Sequence, residues 1–437
     1  AYASVRNKDG AVKSAGDING DGYGDLMVVN SSYDLLSDEG SITDAGVVHI
    51  WYGPPPSSMD ANLIAGGTES PDASITGMVA AEGVGDLNST HLDARLYGEL
   101  NGDGYGDLLI GYRMDPGIEY SPINTILVPG PLEGVHRRDD FQTMFTTGSY
   151  PYIHQVGVLS DLTGDGRDDV YRDEAYQLYF YPSDDGFSDL GVGESWGIDT
   201  ESDKPRTKAA DWNGDGLDDV GMLCTGYWLT DWGYMVGGNT SFFLQESHHG
   251  DEGERPIIWD GEDSAAVSQS FDDLDFEYID YNHFFFGETN GDGHVDLMIG
   301  FGRVDVYDYA DGLMANAGLM YVIHGPLGGY ETDGLFDGAT TLIRGQDGSE
   351  LGSSSVFDDI NGDGLQDPVL SQKSGNHSYL FYSPLPEGTL EEADANAHFP
   401  ARNVRSGGDL NDDGRAELVF SGTEPDLAYI FYGQPTE

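Results

Sequence analysis

The sequence predicts an all-β chain of 437 residues, folded as one seven-bladed β-propeller of four-stranded antiparallel blades. Three observations predict it. A nine-residue pattern with acids at its first, fifth and ninth positions occurs seven times. Each copy runs into a short stretch such as "LMVV", "LLIG" or "LMIG", which reads as a buried strand. No segment keeps a 3.6-residue period, and 63 glycines with 19 prolines punctuate the chain.

The seven copies are "DINGDGYGD" from Asp17, "ELNGDGYGD" from Glu99, "DLTGDGRDD" from Asp161, "DWNGDGLDD" from Asp211, "ETNGDGHVD" from Glu288, "DINGDGLQD" from Asp359 and "DLNDDGRAE" from Asp409. Three like charges within nine residues repel one another, so a cation is expected among them. Oxygen ligands at alternate positions around a Gly-bearing turn suit a hard cation, calcium above all. An EF-hand fails on its twelfth position, which needs Glu. Here that position holds Val28, Ile110, Arg172, Met222, Ile299, Leu370 and Phe420. The loop is therefore a hairpin turn that delivers its last carboxylate just before a strand.

The copies start 82, 62, 50, 77, 71 and 50 residues apart, a spacing that suits a propeller or array. After each loop come a second strand and a third, such as "GVVHIWYG", "YQLYFYP" or "AYIFYG". A fourth precedes the next loop, as "TTLIRG" does. After the seventh loop 20 residues remain, too few for a fourth strand there, whereas "AYASVRN" is surplus at the start. That N-terminal segment is expected to complete the last blade and close the ring, so residues 1–437 read as a single domain.

At this point the residues resemble the FG-GAP repeats of the integrin alpha-subunit head. The sixth copy carries Leu351-Gly352 where the family has Phe-Gly, whereas "IGYR", "IGFG" and "VFSG" replace its Gly-Ala-Pro. The resemblance implies calcium held by side chains at positions one, three, five and nine and a backbone carbonyl at seven. Carried over, the ligands are Asp17, Asn19, Asp21, Tyr23 and Asp25 in the first loop, and Glu99, Asn101, Asp103, Tyr105 and Asp107 in the second. The third has Asp161, Thr163, Asp165, Arg167 and Asp169, and the fourth Asp211, Asn213, Asp215, Leu217 and Asp219. The fifth has Glu288, Asn290, Asp292, His294 and Asp296, and the sixth Asp359, Asn361, Asp363, Leu365 and Asp367. The seventh has Asp409, Asn411, Asp413, Arg415 and Glu417. Up to seven calcium ions are expected. Thr163 is a weaker ligand, and Asp412 stands where Gly is usual. A near-copy, "DLNSTHLDA" from Asp86, lacks the fifth-position Asp and reads as an insertion.

The net charge of −59, from 78 acids against 19 bases, excludes nucleic acids and anionic membranes as partners. Ligand positions hold 21 of the acids, three in each of seven loops, so most of the charge belongs to the surface. A single cysteine, Cys224, forbids an internal disulfide. Calcium-filled loops without disulfides suggest a secreted or cell-surface bacterial protein, expected as a monomer, with no leader, span or lipid anchor in the sequence. "GESWG" around Ser195 lacks the helix a nucleophile elbow needs, and "HHGDEGE" at 248–254 reads as a solvated loop.

With no convergent catalytic motif, the expected function is a non-enzymatic, calcium-dependent binding or adhesion module for an extracellular protein or glycan. The alternatives are a lectin and a calcium-dependent polysaccharide lyase. Long connections between second and third strands should form the ligand face, opposite the calcium loops. They supply Tyr33, Tyr112, Tyr227, Trp228, Trp232, Tyr307 and Tyr309.

Overall fold

The computed structural model describes residues 2–6, 11–37, 40–61, 70–85, 95–113, 123–146, 156–162, 165–174, 177–181, 183, 196–199, 206–211, 219–225, 228–229, 235–236, 240–245, 247–248, 257–258, 267–270, 282–302, 304–308, 312–325, 339–373, 375–421 and 427–432. Among them every long element is a strand, and the strands form seven sheets of four or five, together with four two-stranded hairpins.

The sheets follow the seven loops one for one. The first orders Ala11–Gly16, Asp25–Asn30, Val47–Trp51 and Ala73–Thr76 from inside outward; the loop joins its first two strands. The second repeats this with Tyr97–Gly98, Asp107–Arg113, Ile123–Val128 and Thr143–Thr146, and the third with Val156–Leu159, Asp169–Glu174, Gln177–Tyr181 and Trp196–Asp199. The inner pair is Arg206–Ala210 and Asp219–Thr225 in the fourth sheet, Asn282–Gly287 and Asp296–Phe301 in the fifth, and Leu351–Asp358 and Asp367–Gln372 in the sixth. In the seventh, Arg402–Gly408, Glu417–Ser421 and Leu427–Phe431 are completed by Tyr2–Arg6, which pairs antiparallel with Leu427–Phe431 and sets Tyr2 opposite Phe431. The N-terminal strand thus takes the place the sequence assigns it.

The second strands of the first, fifth and sixth sheets are buried along their whole length, as strands set between neighbouring sheets must be. Leu26 and Val28 pack with Leu410, Val419 and Ile430 of the seventh sheet. Met27 and Val29, on the opposite face of the same strand, pack with Leu108, Ile110 and Ile126 of the second. Further apolar clusters join the second sheet to the third, the fifth to the sixth and the sixth to the seventh. A strand with side chains alternating between two apolar interfaces must read as a continuous apolar run. Each such Leu, Ile or Val contributes about 1.5–3 kcal/mol by burial.

Three sheets carry a fifth strand that the sequence does not reveal. Gly134–Arg137 runs parallel to Ala73–Thr76, Gly388–Glu391 to Thr341–Arg344, and Ser58–Asp60 to Tyr2–Arg6. Each comes from the connection between third and fourth strands of the next sheet in order, so one sheet covers the outer edge of its predecessor. "SMD", "GVHR" and "GTLE" are short and without apolar alternation, which is why no strand is legible in them.

Candidate metal centre

Each loop starts where an inner strand ends and finishes on the first residue of the second strand. The position-one carboxylate folds back over the turn. Asp17 accepts the backbone N–H groups of Gly20, Asp21 and Gly22 at 2.7, 3.1 and 2.9 Å. Glu99, Asp161, Glu288, Asp359 and Asp409 accept from their own turns in the same way. Position five turns the chain again: Asp21, Asp103, Asp165, Asp292 and Asp363 accept the position-seven N–H at 2.8–3.0 Å. Position six needs a positive φ, +92° at Gly22, which glycine adopts without strain. Asp412 takes the left-handed conformation at φ +56°, where Asp and Asn are the best tolerated non-glycine residues.

The position-nine acid does something the sequence does not disclose. Asp25, Asp107, Asp296, Asp367 and Glu417 are wholly buried, and Asp169 nearly so. One oxygen of each accepts the N–H of position two: Ile18, Leu100, Leu162, Thr289, Ile360 or Leu410. In five of them the other oxygen accepts from a residue shortly after the third strand: Gly53, Gly130, Ser183, Gly325 or Ser383. The carboxylate therefore clamps the loop to a segment 14 to 29 residues downstream. Burial, with lesser contributions from the acids at positions one and five, pushes Asp25, Asp107, Asp169 and Asp367 up to about 7 and Glu417 up to about 8. Burial also raises Asp296.

Neighbouring loops are joined. The position-eight N–H donates to the position-one carbonyl of the preceding loop: Gly106 to Asp17, Asp168 to Glu99, Gln366 to Glu288 and Ala416 to Asp359. Gly24 donates to Asp409 at 2.6 Å and so links the first loop to the last. Position-seven side chains reach the same neighbours. The Tyr105 ring lies against Gly20, where a Cβ would stand 2.8 Å from it, and the Arg415 Nε donates to the Asn361 carbonyl at 2.9 Å.

The carboxylate oxygens suit a hard cation, and three acids close together in each loop gather negative charge that a cation would offset. Calcium there would be held by the acids at positions one, five and nine with the position-three amide, and would supply the positive charge. Against the expectation of up to seven ions, the described loops differ in how their ligands are arranged. Among the described residues, one loop brings three carboxylates together: oxygens of Glu288, Asp292 and Asp296 lie within 4.8 Å of one another. In the second and seventh loops the amides of Asn101 and Asn411 donate to the position-nine acid at 3.1 and 3.0 Å, which sets an N–H where a cation needs an oxygen. Thr163, Asn213, Asp215 and Leu217 lie outside the described residues, as does the Asp219 side chain.

The first loop and its flanking strands match a known family. Residues 14–51 match the FG-GAP repeat. The match takes in the end of the inner strand, the loop and the second and third strands of the first sheet. No curated protein matches the chain. Among solved structures it is similar to rhamnogalacturonan lyase YesW (12% identity, TM-score 0.38) and to the exotype rhamnogalacturonan lyase YesX (11%, 0.41). A Bacillus licheniformis rhamnogalacturonan lyase gives 12% and 0.37. In each case 100% of this chain and 73% of the other are covered.

The expected ligand-face residues divide. Tyr112 is 4% exposed, its hydroxyl accepts from Asn124 Nδ2 at 2.9 Å, and the Arg138 guanidinium lies over its ring. It packs between the first and second sheets and presents nothing to a ligand. Its place in the continuously buried run "DLLIGY" is the local signal of that burial. Tyr33 is half-buried and meets the His49 ring edge-on. Trp228 and Tyr307 lie on hairpin strands whose side chains at these positions are not among those described; Tyr227, Trp232 and Tyr309 lie outside the described residues. No helix among the described residues is long and apolar enough to cross a membrane.

Proposed function

We propose that this chain is a calcium-stabilised seven-bladed propeller that works outside the cell as a non-catalytic binding or adhesion module. The observation that carries the reading is the chain of hydrogen bonds from loop to loop, with its link from Gly24 to Asp409 across the chain ends. Together with the apolar clusters between successive sheets, it supports a disc whose sheets follow sequence order and whose acidic loops share one face. Calcium on that face neutralises the carboxylates and locks the loops.

The opposite face binds the partner, an extracellular protein or glycan. Two connections between second and third strands fold there as hairpins, Leu35–Ser37 with Gly40–Ile42 and Val306–Asp308 with Gly312–Met314. They are built alike: Asp34 accepts the N–H of Asp44 at 2.9 Å, and Asp305 that of Asn316 at 2.6 Å. Their strands carry Leu36 and Leu313, 83% and 63% exposed. Large apolar side chains held out on braced hairpins favour contact with another molecule.

The test is thermal unfolding in millimolar calcium and in excess EDTA. A site filled at ten to a hundred times its dissociation constant adds roughly 1.4–2.7 kcal/mol, so several sites together rival the roughly 5–15 kcal/mol of a whole domain. The melting temperature should fall on chelation by about ten degrees or more if most sites are filled; equal values would overturn the calcium reading. Release of unsaturated sugars from an acidic polysaccharide would overturn the non-catalytic one.

A further inference from the structure

The inner strands can be aligned through their pairing. Opposite the residue two places after each position-nine acid stand Lys13, Gly157, Lys208, Phe285, Val356 and Arg405, in the first, third, fourth, fifth, sixth and seventh sheets. Leu96 takes that place in the second, where its carbonyl accepts from Leu109. Three of these seven are basic. In a chain with 19 bases among 437 residues, that is about tenfold over the average frequency. None of the seven is acidic, although acids outnumber bases fourfold in the chain.

Arg405 reaches the backbone beside Lys13, and the charges of Arg405 and Lys208 both act on Lys13. Arg405 Nη1 donates to the carbonyl of Val12, the residue before Lys13, at 3.3 Å. Lys208 Nζ stands 5.2 Å from the centre of the Phe285 ring. Lys13 is 7% exposed, and its ammonium is disfavoured first by burial and then by the charges of Arg405 and Lys208. Ser355, one residue from this tier on the sixth inner strand, has a buried hydroxyl without a hydrogen-bond partner among the described residues. Like charges gathered in a low dielectric repel strongly, and an anion among them would relieve that repulsion.

We propose that Lys13, Lys208 and Arg405 form an anion site where the inner strands converge, and that it takes an oxyanion, free or as the carboxylate or sulfate of an acidic sugar chain. A guanidinium offers paired N–H donors to such a group and two ammonium groups add charge, a set that binds planar or tetrahedral oxyanions through charge-assisted hydrogen bonds. The inference goes beyond the calcium reading, which concerns the loops that follow these strands, and its failure is told apart from that reading because calcium is held constant throughout.

The experiment is calorimetric titration of the calcium-loaded protein with sulfate and, separately, with a uronic-acid tetramer, at constant ionic strength set with chloride. Saturable one-to-one binding of sulfate supports a free ion as the ligand, and binding of the tetramer alone supports an acidic glycan. Binding of neither overturns the proposal. Lys13→Met and Lys208→Met should each weaken the binding at least tenfold. Both should keep or raise the melting temperature in chloride, since each relieves repulsion. Should Lys13→Met fail to fold, the half-buried Lys208 still decides the matter. Unchanged affinity in Lys208→Met, or a lower melting temperature with unchanged affinity, would show that the tier serves structure and not an anion.

Discussion

Asp25→Ala is the substitution that separates the two roles of the position-nine carboxylate. Asp25 is fully buried and accepts the N–H of Ile18 at 2.7 Å and that of Gly53 at 2.9 Å. Alanine leaves both donors without an acceptor. A buried donor stripped of its partner costs about 1–3 kcal/mol, so the loss should be about 2–6 kcal/mol even where no metal is present. Asp21→Ala is the matched control. Asp21 is exposed and accepts chiefly from its own loop, at Tyr23 N, so without metal its removal should cost under about 1 kcal/mol. Urea unfolding in EDTA measures both. In calcium the contrast narrows, because Asp21→Ala then also loses the contribution of one ion. If Asp25→Ala in EDTA is no less stable than Asp21→Ala, the clamp is wrong and the acid serves the cation alone.

Other outcomes follow from the same geometry. In the metal-free protein Asp25, Asp107, Asp169 and Asp367 titrate near 7 in place of about 4, so the folded state holds their protons more tightly than the unfolded chain. That stabilising contribution is complete below about pH 4 and fades as pH rises through about 7. Urea midpoints in EDTA should accordingly fall across that window, and a rising midpoint would refute the assignment. Deleting residues 1–7 exposes the edge of Leu427–Phe431 and strips Ser58–Asp60 of its partner strand. The melting temperature should drop by several degrees or more; an unchanged value would sink the closure. Leu36→Ser with Leu313→Ser should leave the melting temperature within a degree or two, because both side chains are exposed. It should weaken capture of the partner, whereas Asp21→Ala should not; the reverse pattern would place the working surface on the loop face.

The loops were legible because each position answers a strict local demand. A positive φ at position six admits little but glycine, and carboxylates at one and five must reach backbone donors two to five residues away. Such demands repeat wherever the turn repeats, so seven copies stand out in one sequence. The strands next to them were legible for a related reason, since burial between two sheets leaves no polar alternation to confuse the reading. What stayed hidden depends on pairs that are distant in the chain. Nothing about Gly53, Gly130 or Ser383 announces that its N–H closes on an acid that precedes it by 16 to 28 residues. The parallel edge strands depend on the neighbouring sheet, and Tyr112 is withdrawn from the surface by partners such as Asn124 and Arg138 that no local pattern links to it.

The clamp also bears on why every copy ends in an acid even where three carboxylates do not converge. A cation needs an oxygen at position nine, but so do the N–H of position two and, in five loops, the N–H beyond the third strand. An amide in its place would offer one acceptor and one donor to two donors, leaving one of them unmatched. Glu417 keeps only the position-two bond among the described residues and turns its second oxygen to Asn411. Loss of cation binding in a single loop would therefore not release its ninth position to drift, because the hairpin still requires the carboxylate. Substitutions that empty a loop of calcium without unfolding the sheet should fall at positions one, three and five. Asp292→Asn is the sharpest case: it removes one of the three converging carboxylates at an exposed position while Asp296 keeps its bonds to Thr289 and Gly325. One calcium fewer by native mass spectrometry, with the urea midpoint in EDTA unmoved, is the expected result. An unchanged count would remove the fifth loop from the set of cation sites.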